Sequence, residues 1–143
     1  MDIASLIKRR PVSDIIACDQ MDKVHSVVSR LADKRIGAMP VLNEGAVVGI
    51  FSERDVIYRL ANEGDACLMR PVGEVMTTPA ITVSKQTSVD EALSMMTRRR
   101  IRHLPVLDGD ELIGFVSIGD LVKTRFEEVK HEASALRQYI TTG

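Results

Sequence analysis

The chain has 143 residues, 45% of them hydrophobic and 27% charged, the composition of an ordinary soluble globular protein able to bury a core. Lys and Arg number 19 against 20 Asp and Glu, and this net charge of -1 gives no overall pull toward nucleic acid or anionic membrane. Apolar runs last only a few residues and the opening Met1 to Lys8 lacks a signal-peptide core, so a cytoplasmic protein without a membrane span is expected.

A basic cluster, Lys8-Arg9-Arg10, precedes the first apolar run, Ile15 to Cys18, which reads as a strand. Val24, Val27, Val28 and Leu31 then recur at the spacing of an amphipathic helix. A hairpin follows: Met39 to Leu42, a turn at Asn43-Glu44-Gly45, and Ala46 to Phe51, with a further helix starting near Ser52. The stretch from 64 to 72 is short and partly apolar, which suits a join better than a free linker.

Beyond the join the order returns. Ala80 to Val83 reads as a strand, and Val89, Ala92, Leu93 and Met96 as a helix opened by a capping box, Ser88 three residues before Glu91. Leu104 to Leu107, a turn at Asp108-Gly109 and Glu111 to Val116 form the second predicted hairpin, and a helix starts near Ser117. It continues with Val122, Phe126, Val129, Ala133, Leu136 and Ile140 spaced 4, 3, 4, 3, 4, a seam of about three heptads that suits either packing on its own domain or a dimer contact.

The two halves share more than their order of elements. Pro40 and Pro105, Gly49 and Gly114, Ser52 and Ser117, and Asp55 and Asp120 are all separated by one constant interval. A unit of roughly 60 residues buries little of its surface, so the two copies are expected to share a core and enclose a pseudo-twofold cleft.

Ser52-Glu53-Arg54-Asp55 and Ser117-Ile118-Gly119-Asp120 each stand between a strand and a helix. One meaning is a helix cap, with the Ser oxygen accepting a backbone N–H and the acid facing the positive helix end. The other is a ligand site: free N–H groups and a hydroxyl for phosphate, and a carboxylate accepting both hydroxyls of a ribose. A bare Ser-x-x-Asp does not decide between them.

Taken together, the apolar strand, amphipathic helix, Arg35-Ile36-Gly37-Ala38-Met39-Pro40-Val41 and Gly49-Ile50-Phe51-Ser52-Glu53-Arg54-Asp55, repeated in register, resemble the tandem cystathionine-β-synthase (CBS) domain pair, or Bateman module. The resemblance covers residues 11 to 125. It implies an α+β fold of two β-α-β-β-α repeats packed as a pseudo-twofold pair: an N-terminal segment 1–10, repeats at 11–68 and 69–125, and a C-terminal helical extension 126–143. It also implies an adenosine nucleotide in the clefts between repeats, such as AMP, ADP, ATP or NAD(H).

Matched residue by residue, the resemblance implies that Asp120 holds ribose, that Ser117 lies near the phosphates, and that Arg102 with His103 reaches them. Adenine is then expected against Ile16, Ile36 and the backbone at Gly37-Ala38. Gly119 departs from members with a hydroxyl residue there. In the related cleft Asp55 and Ser52 match the ribose and phosphate positions, Arg54 adds a charge, and Ile81 with Ile101 flanks the base. Gly37 and Ala38 stand there in the places of Arg102 and His103, so this second cleft is expected to lack their cationic pair and to differ in affinity.

No Ser/His/Asp or Cys/His set, Gly-rich phosphate loop or metal-ligand spacing is identifiable, and Cys18 and Cys67 read as buried small residues. The run Arg98 to His103 reads first as a solvated face. With aromatic residues at 3% no stacking platform for nucleic acid is visible, so phosphate binding at Arg102 is its better functional use. Lys8-Arg9-Arg10 is also placed to lean over a phosphate. The expected function is that of a non-catalytic regulatory sensor, homodimeric and acting on a further protein; the alternative is a nucleotide-free dimeric adaptor whose Ser-x-x-Asp motifs are only caps.

Overall fold

The computed structural model of the protein describes residues 1–142. Helix α1 (Ile3–Ile7) and one 3-10 turn lead into β1 (Cys18–Asp19), α2 (Val24–Lys34), β2 (Ala38–Asn43), β3 (Ala46–Ser52) and α3 (Glu53–Glu63). Two further 3-10 turns, Gly64–Met69 and Val72–Glu74, form the join. The second repeat is β4 (Val83–Ser84), α4 (Val89–Arg99), β5 (His103–Asp108), β6 (Glu111–Ser117) and α5 (Ile118–Thr142). Each repeat builds one three-stranded sheet, its first strand parallel to the second and its second antiparallel to the third.

Local chemistry explains the element ends. Ser88 and Glu91 form the expected capping box, and Ser52 with Asp55 forms another. Helices α2 and α4 both stop on an arginine in the left-handed conformation, Arg35 at φ 53° and Arg100 at φ 55°, which turns the chain from helix into strand. The hairpin turns are tighter than the sequence suggested. Asn43 pairs with Ala46, leaving Glu44 and Gly45, both at positive φ, as a two-residue turn, and Asp108 pairs with Glu111 around Gly109-Asp110.

The strands expected at 15–18 and 80–83 are mostly not strands. Only Cys18–Asp19 and Val83–Ser84 find partners, at Val41–Leu42 and Val106–Leu107. Ile15 to Ala17 and Ala80 to Thr82 run past the paired region as extended chain, and their apolar side chains face clefts instead of a ladder.

The single shared core is also corrected. The buried residues divide into one cluster per repeat, and each cluster is completed from outside that repeat's own sheet and helices. Ile3, at 0% exposure, lies in the second repeat's core with Leu104, Val116 and Leu121. Val72 and Val75 of the join lie in the first repeat's core with Val24, Met39 and Phe51. Backbone bonds tie these leading segments down: Ile3 N–H donates to the Thr87 carbonyl at 2.9 Å, and Gly73 N–H to the Gln20 carbonyl at 2.9 Å. The small repeats thus gain apolar area by enlisting the chain that precedes the other copy.

Helix α5 runs unbroken past Arg125, after which the C-terminal extension 126–143 was expected to begin. Leu121 is its only buried residue, while Val122, Phe126, Val129, Leu136 and Ile140 are exposed. Of the two readings of this seam, packing on its own domain is therefore not found. Among the described residues, no helix is long and apolar enough to cross a membrane.

Candidate functional site: two clefts between the repeats

Two clefts open between the repeats, of about 410 and 390 Å³, volumes within the range of small-molecule sites. Each is lined at one end by the start of a repeat's last helix and at the other by the apolar leading chain and the helix-to-strand corner of the other repeat.

In the first cleft the Ser117 amide donates to Asp120 Oδ2 at 2.9 Å and the Asp120 amide to Ser117 Oγ at 3.1 Å. Asp120 also accepts two bonds from Arg10, Nη1 to Oδ2 at 3.1 Å and Nη2 to Oδ1 at 2.7 Å. Burial pushes the Asp120 carboxyl up, but the Arg10 guanidinium and the Ser117 amide outweigh it and hold the group below the ordinary carboxylate value. Ile16, Ile36, Gly37 and Ala38 line the far wall, as expected, and Ile7, Ile113 and Phe115 add apolar surface. The His103 ring stacks on Phe115.

In the second cleft Asp55 Oδ2 accepts from the Ser52 amide at 2.9 Å and the Ser52 hydroxyl at 3.1 Å, while Thr77 Oγ1 donates to Oδ1 at 2.9 Å. Ile81 and Ile101 stand opposite, together with Ile50, Pro79 and Tyr58.

One expected residue lies in the other cleft. Arg102 lines the Asp55 cleft and not the Asp120 cleft, where it was expected, and His103 lines both. Neighbouring side chains on extended backbone point to opposite sides, so His103 stands where the clefts meet and Arg102 falls away from Asp120. The charge asymmetry is therefore the reverse of the expected one: Arg54, Arg100 and Arg102 all line the Asp55 cleft, whereas Arg10 and Arg35 serve the other. Of the Lys8-Arg9-Arg10 cluster only Arg10 reaches a cleft.

Several lining residues were not singled out from the sequence. Arg35 and Arg100 occupy equivalent positions in the two copies, so the repeat itself carried a signal for them. Phe115, Tyr58 and Thr77 carried no comparable signal, and the Arg10–Asp120 pair spans 110 positions.

With this arrangement in view, the CBS domain family model matches residues 4–62 and again 72–127. The chain belongs to the CBS domain family. An Arabidopsis thaliana relative, the mitochondrial CBS domain-containing protein CBSX3, is 36% identical over 131 residues, 88% of this chain; the match spans 64% of CBSX3. The solved structure of the CBS-domain containing protein ATU1752 from Agrobacterium tumefaciens superposes with a TM-score of 0.82 at 32% identity, covering 87% of this chain and 99% of that one. Two CBS proteins at 22% identity share the fold at a TM-score of 0.76: the CBS pair of MJ0100, solved with 5′-methylthioadenosine and S-adenosyl-L-methionine (90% of this chain, 98% of that one), and CBSX2, solved with AMP (88% and 96%). The two β-α-β-β-α CBS repeats with a long C-terminal helix are thus established for this chain.

Proposed function

We propose that this CBS pair binds adenosine nucleotides in its two inter-repeat clefts and acts as a regulatory module with no reaction of its own. The observation that carries this reading is the twofold meeting of a Ser-x-x-Asp helix start with a pair of isoleucines: Ser117 and Asp120 with Ile16 and Ile36, Ser52 and Asp55 with Ile81 and Ile101. A carboxylate accepts both hydroxyls of a ribose, and flanking aliphatic side chains sandwich a flat base. The arginines of the Asp55 cleft offer phosphate a place. Adenosyl ligands in MJ0100 and CBSX2 support the ligand class, with AMP, ADP, ATP, NAD(H) and S-adenosyl compounds the panel to test. A ligand at 100 times its dissociation constant stabilises by about 2.7 kcal/mol, which thermal melting resolves. A shift with at least one of the panel is expected; none with any of them points to the nucleotide-free adaptor.

A second reading, homodimerisation, is favoured by the exposed seam on α5. Phe126 is 69% exposed and Leu136 60%, on a helix that extends far beyond the repeat it belongs to. A second copy of the same seam buries these residues in heptad register. Ligand binding across both repeats then biases how the repeats or protomers sit, and a further protein reads that state.

A further inference from the structure

Both aspartates expected to hold ribose are touched by a leading segment, but by different chemistry. Thr77 gives Asp55 one neutral hydroxyl at 2.9 Å. Arg10 places a guanidinium fork on both oxygens of Asp120, at 2.7 and 3.1 Å, and so occupies the acceptors a ribose diol needs. A guanidinium fork, charged on both sides, is stronger than the hydrogen bonds a neutral diol donates to the same carboxylate. A nucleoside therefore enters only by displacing Arg10, and what happens to the displaced cation decides the outcome.

The segment is built so that Arg10 can let go without unfolding. Ile3 anchors α1 in the core of the second repeat, and backbone bonds fix Ile3 and Ala4 to Thr87 and Lys85. The Arg10 side chain beyond this anchor is 48% exposed. Its target in the ligand-bound state is an anion within the same cleft, where Arg35 is the other lining arginine and Asp14 the other lining carboxylate. A phosphate ester supplies that anion. A neutral nucleoside does not, and leaves the guanidinium only water and the exposed Asp14 carboxylate.

We infer that Arg10 is a specificity gate for the Asp120 cleft, an internal cation that yields Asp120 to a ribose only when the ligand carries a phosphate to receive it. The inference rests on the nucleotide reading above and adds which nucleosides this cleft accepts. The Asp55 carboxylate, held by the neutral Ser52 and Thr77 groups with no cation on it among the described residues, does not carry the gate.

The test is calorimetric titration of the full chain carrying Asp55→Ala, which isolates the Asp120 cleft, with AMP and with adenosine. Arg10 is then replaced by Ala and, in a second variant, by Lys, and melting curves confirm the fold. The gate predicts at least tenfold preference for AMP, reduced tenfold or more by Arg10→Ala, with adenosine binding tighter and AMP weaker. Arg10→Lys, which keeps the charge but not the fork, is expected between the two. An AMP-to-adenosine ratio unchanged by Arg10→Ala overturns the gate and leaves the nucleotide reading standing. A parent that binds neither ligand overturns both.

Discussion

His103 lies on Phe115 with ring centroids 5.5 Å apart and planes inclined by 12°, at the point where the two clefts meet. Burial holds its imidazole below the ordinary histidine value, against the pull of Asp120 and Glu53 toward the cation, while Arg102 opposes the cation as well. The folded state therefore keeps His103 neutral at a pH where the unfolded chain has begun to protonate it. Stability is at its full value above about pH 6.5 and falls as pH drops through the lowered folded value, at no more than about 1.4 kcal/mol per pH unit for one group. His103→Gln is expected to flatten the melting temperature between pH 7 and pH 5. An unchanged slope in that variant assigns the dependence to other groups.

The leading segments press closely on the sheets, and two glycines make this measurable. A Cβ on Gly49 stands 2.5 Å from Met76 Sδ and 2.7 Å from the Thr77 carbonyl, whereas one on Gly114 meets only side chains, the nearest being Ile7 Cγ2 at 2.8 Å. Backbone yields less readily than a side chain, and overpacking costs about 1 to 3 kcal/mol. Gly49→Ala is expected to lower stability by more than Gly114→Ala in denaturant melts. The opposite order contradicts the packing of the join on β3.

Arg102 distinguishes the clefts. Its place beside Arg54 and Arg100 predicts that Arg102→Ala weakens phosphate-bearing ligands at the Asp55 cleft by tenfold or more, in keeping with a lost charge-assisted bond. Titration of Arg102→Ala in the Asp120→Ala and Asp55→Ala backgrounds separates the two sites. A loss confined to the Asp120 cleft contradicts this placement.

The α5 seam predicts its own experiment. Phe126→Glu combined with Leu136→Glu puts charges in the heptad interface and is expected to convert a dimer to a monomer in sedimentation velocity, with nucleotide affinity within twofold of the parent. A parent that is monomeric at high micromolar concentration contradicts the dimer.

Much of this fold was legible because it is written twice. The recurrence of Pro40, Gly49, Ser52 and Asp55 at Pro105, Gly114, Ser117 and Asp120 identified both hairpins, both final helices and both carboxylates, since capping and turn chemistry are local. Helix periodicity likewise located Val24, Val27 and Leu31, and Val89, Ala92 and Met96, all of them buried. What stayed hidden depends on chain segments distant in sequence. Nothing near Ile3 says that it completes the core around Leu104, and nothing near Arg10 says that it meets Asp120. Arg102 lies in the other cleft because adjacent residues of a motif, which read as one cationic pair, point to opposite sides of extended backbone, so that only His103 also reaches the Asp120 cleft.

The central claim is that both clefts take adenosine nucleotides through Asp120 and Asp55. Titration calorimetry of AMP into the parent, Asp120→Ala, Asp55→Ala and the double variant tests it most directly, with melting curves to confirm folding. The account predicts two sites per chain in the parent, one in each single variant and none in the double variant. Absence of binding in the parent, or an unchanged number and affinity of sites in the folded double variant, would contradict it.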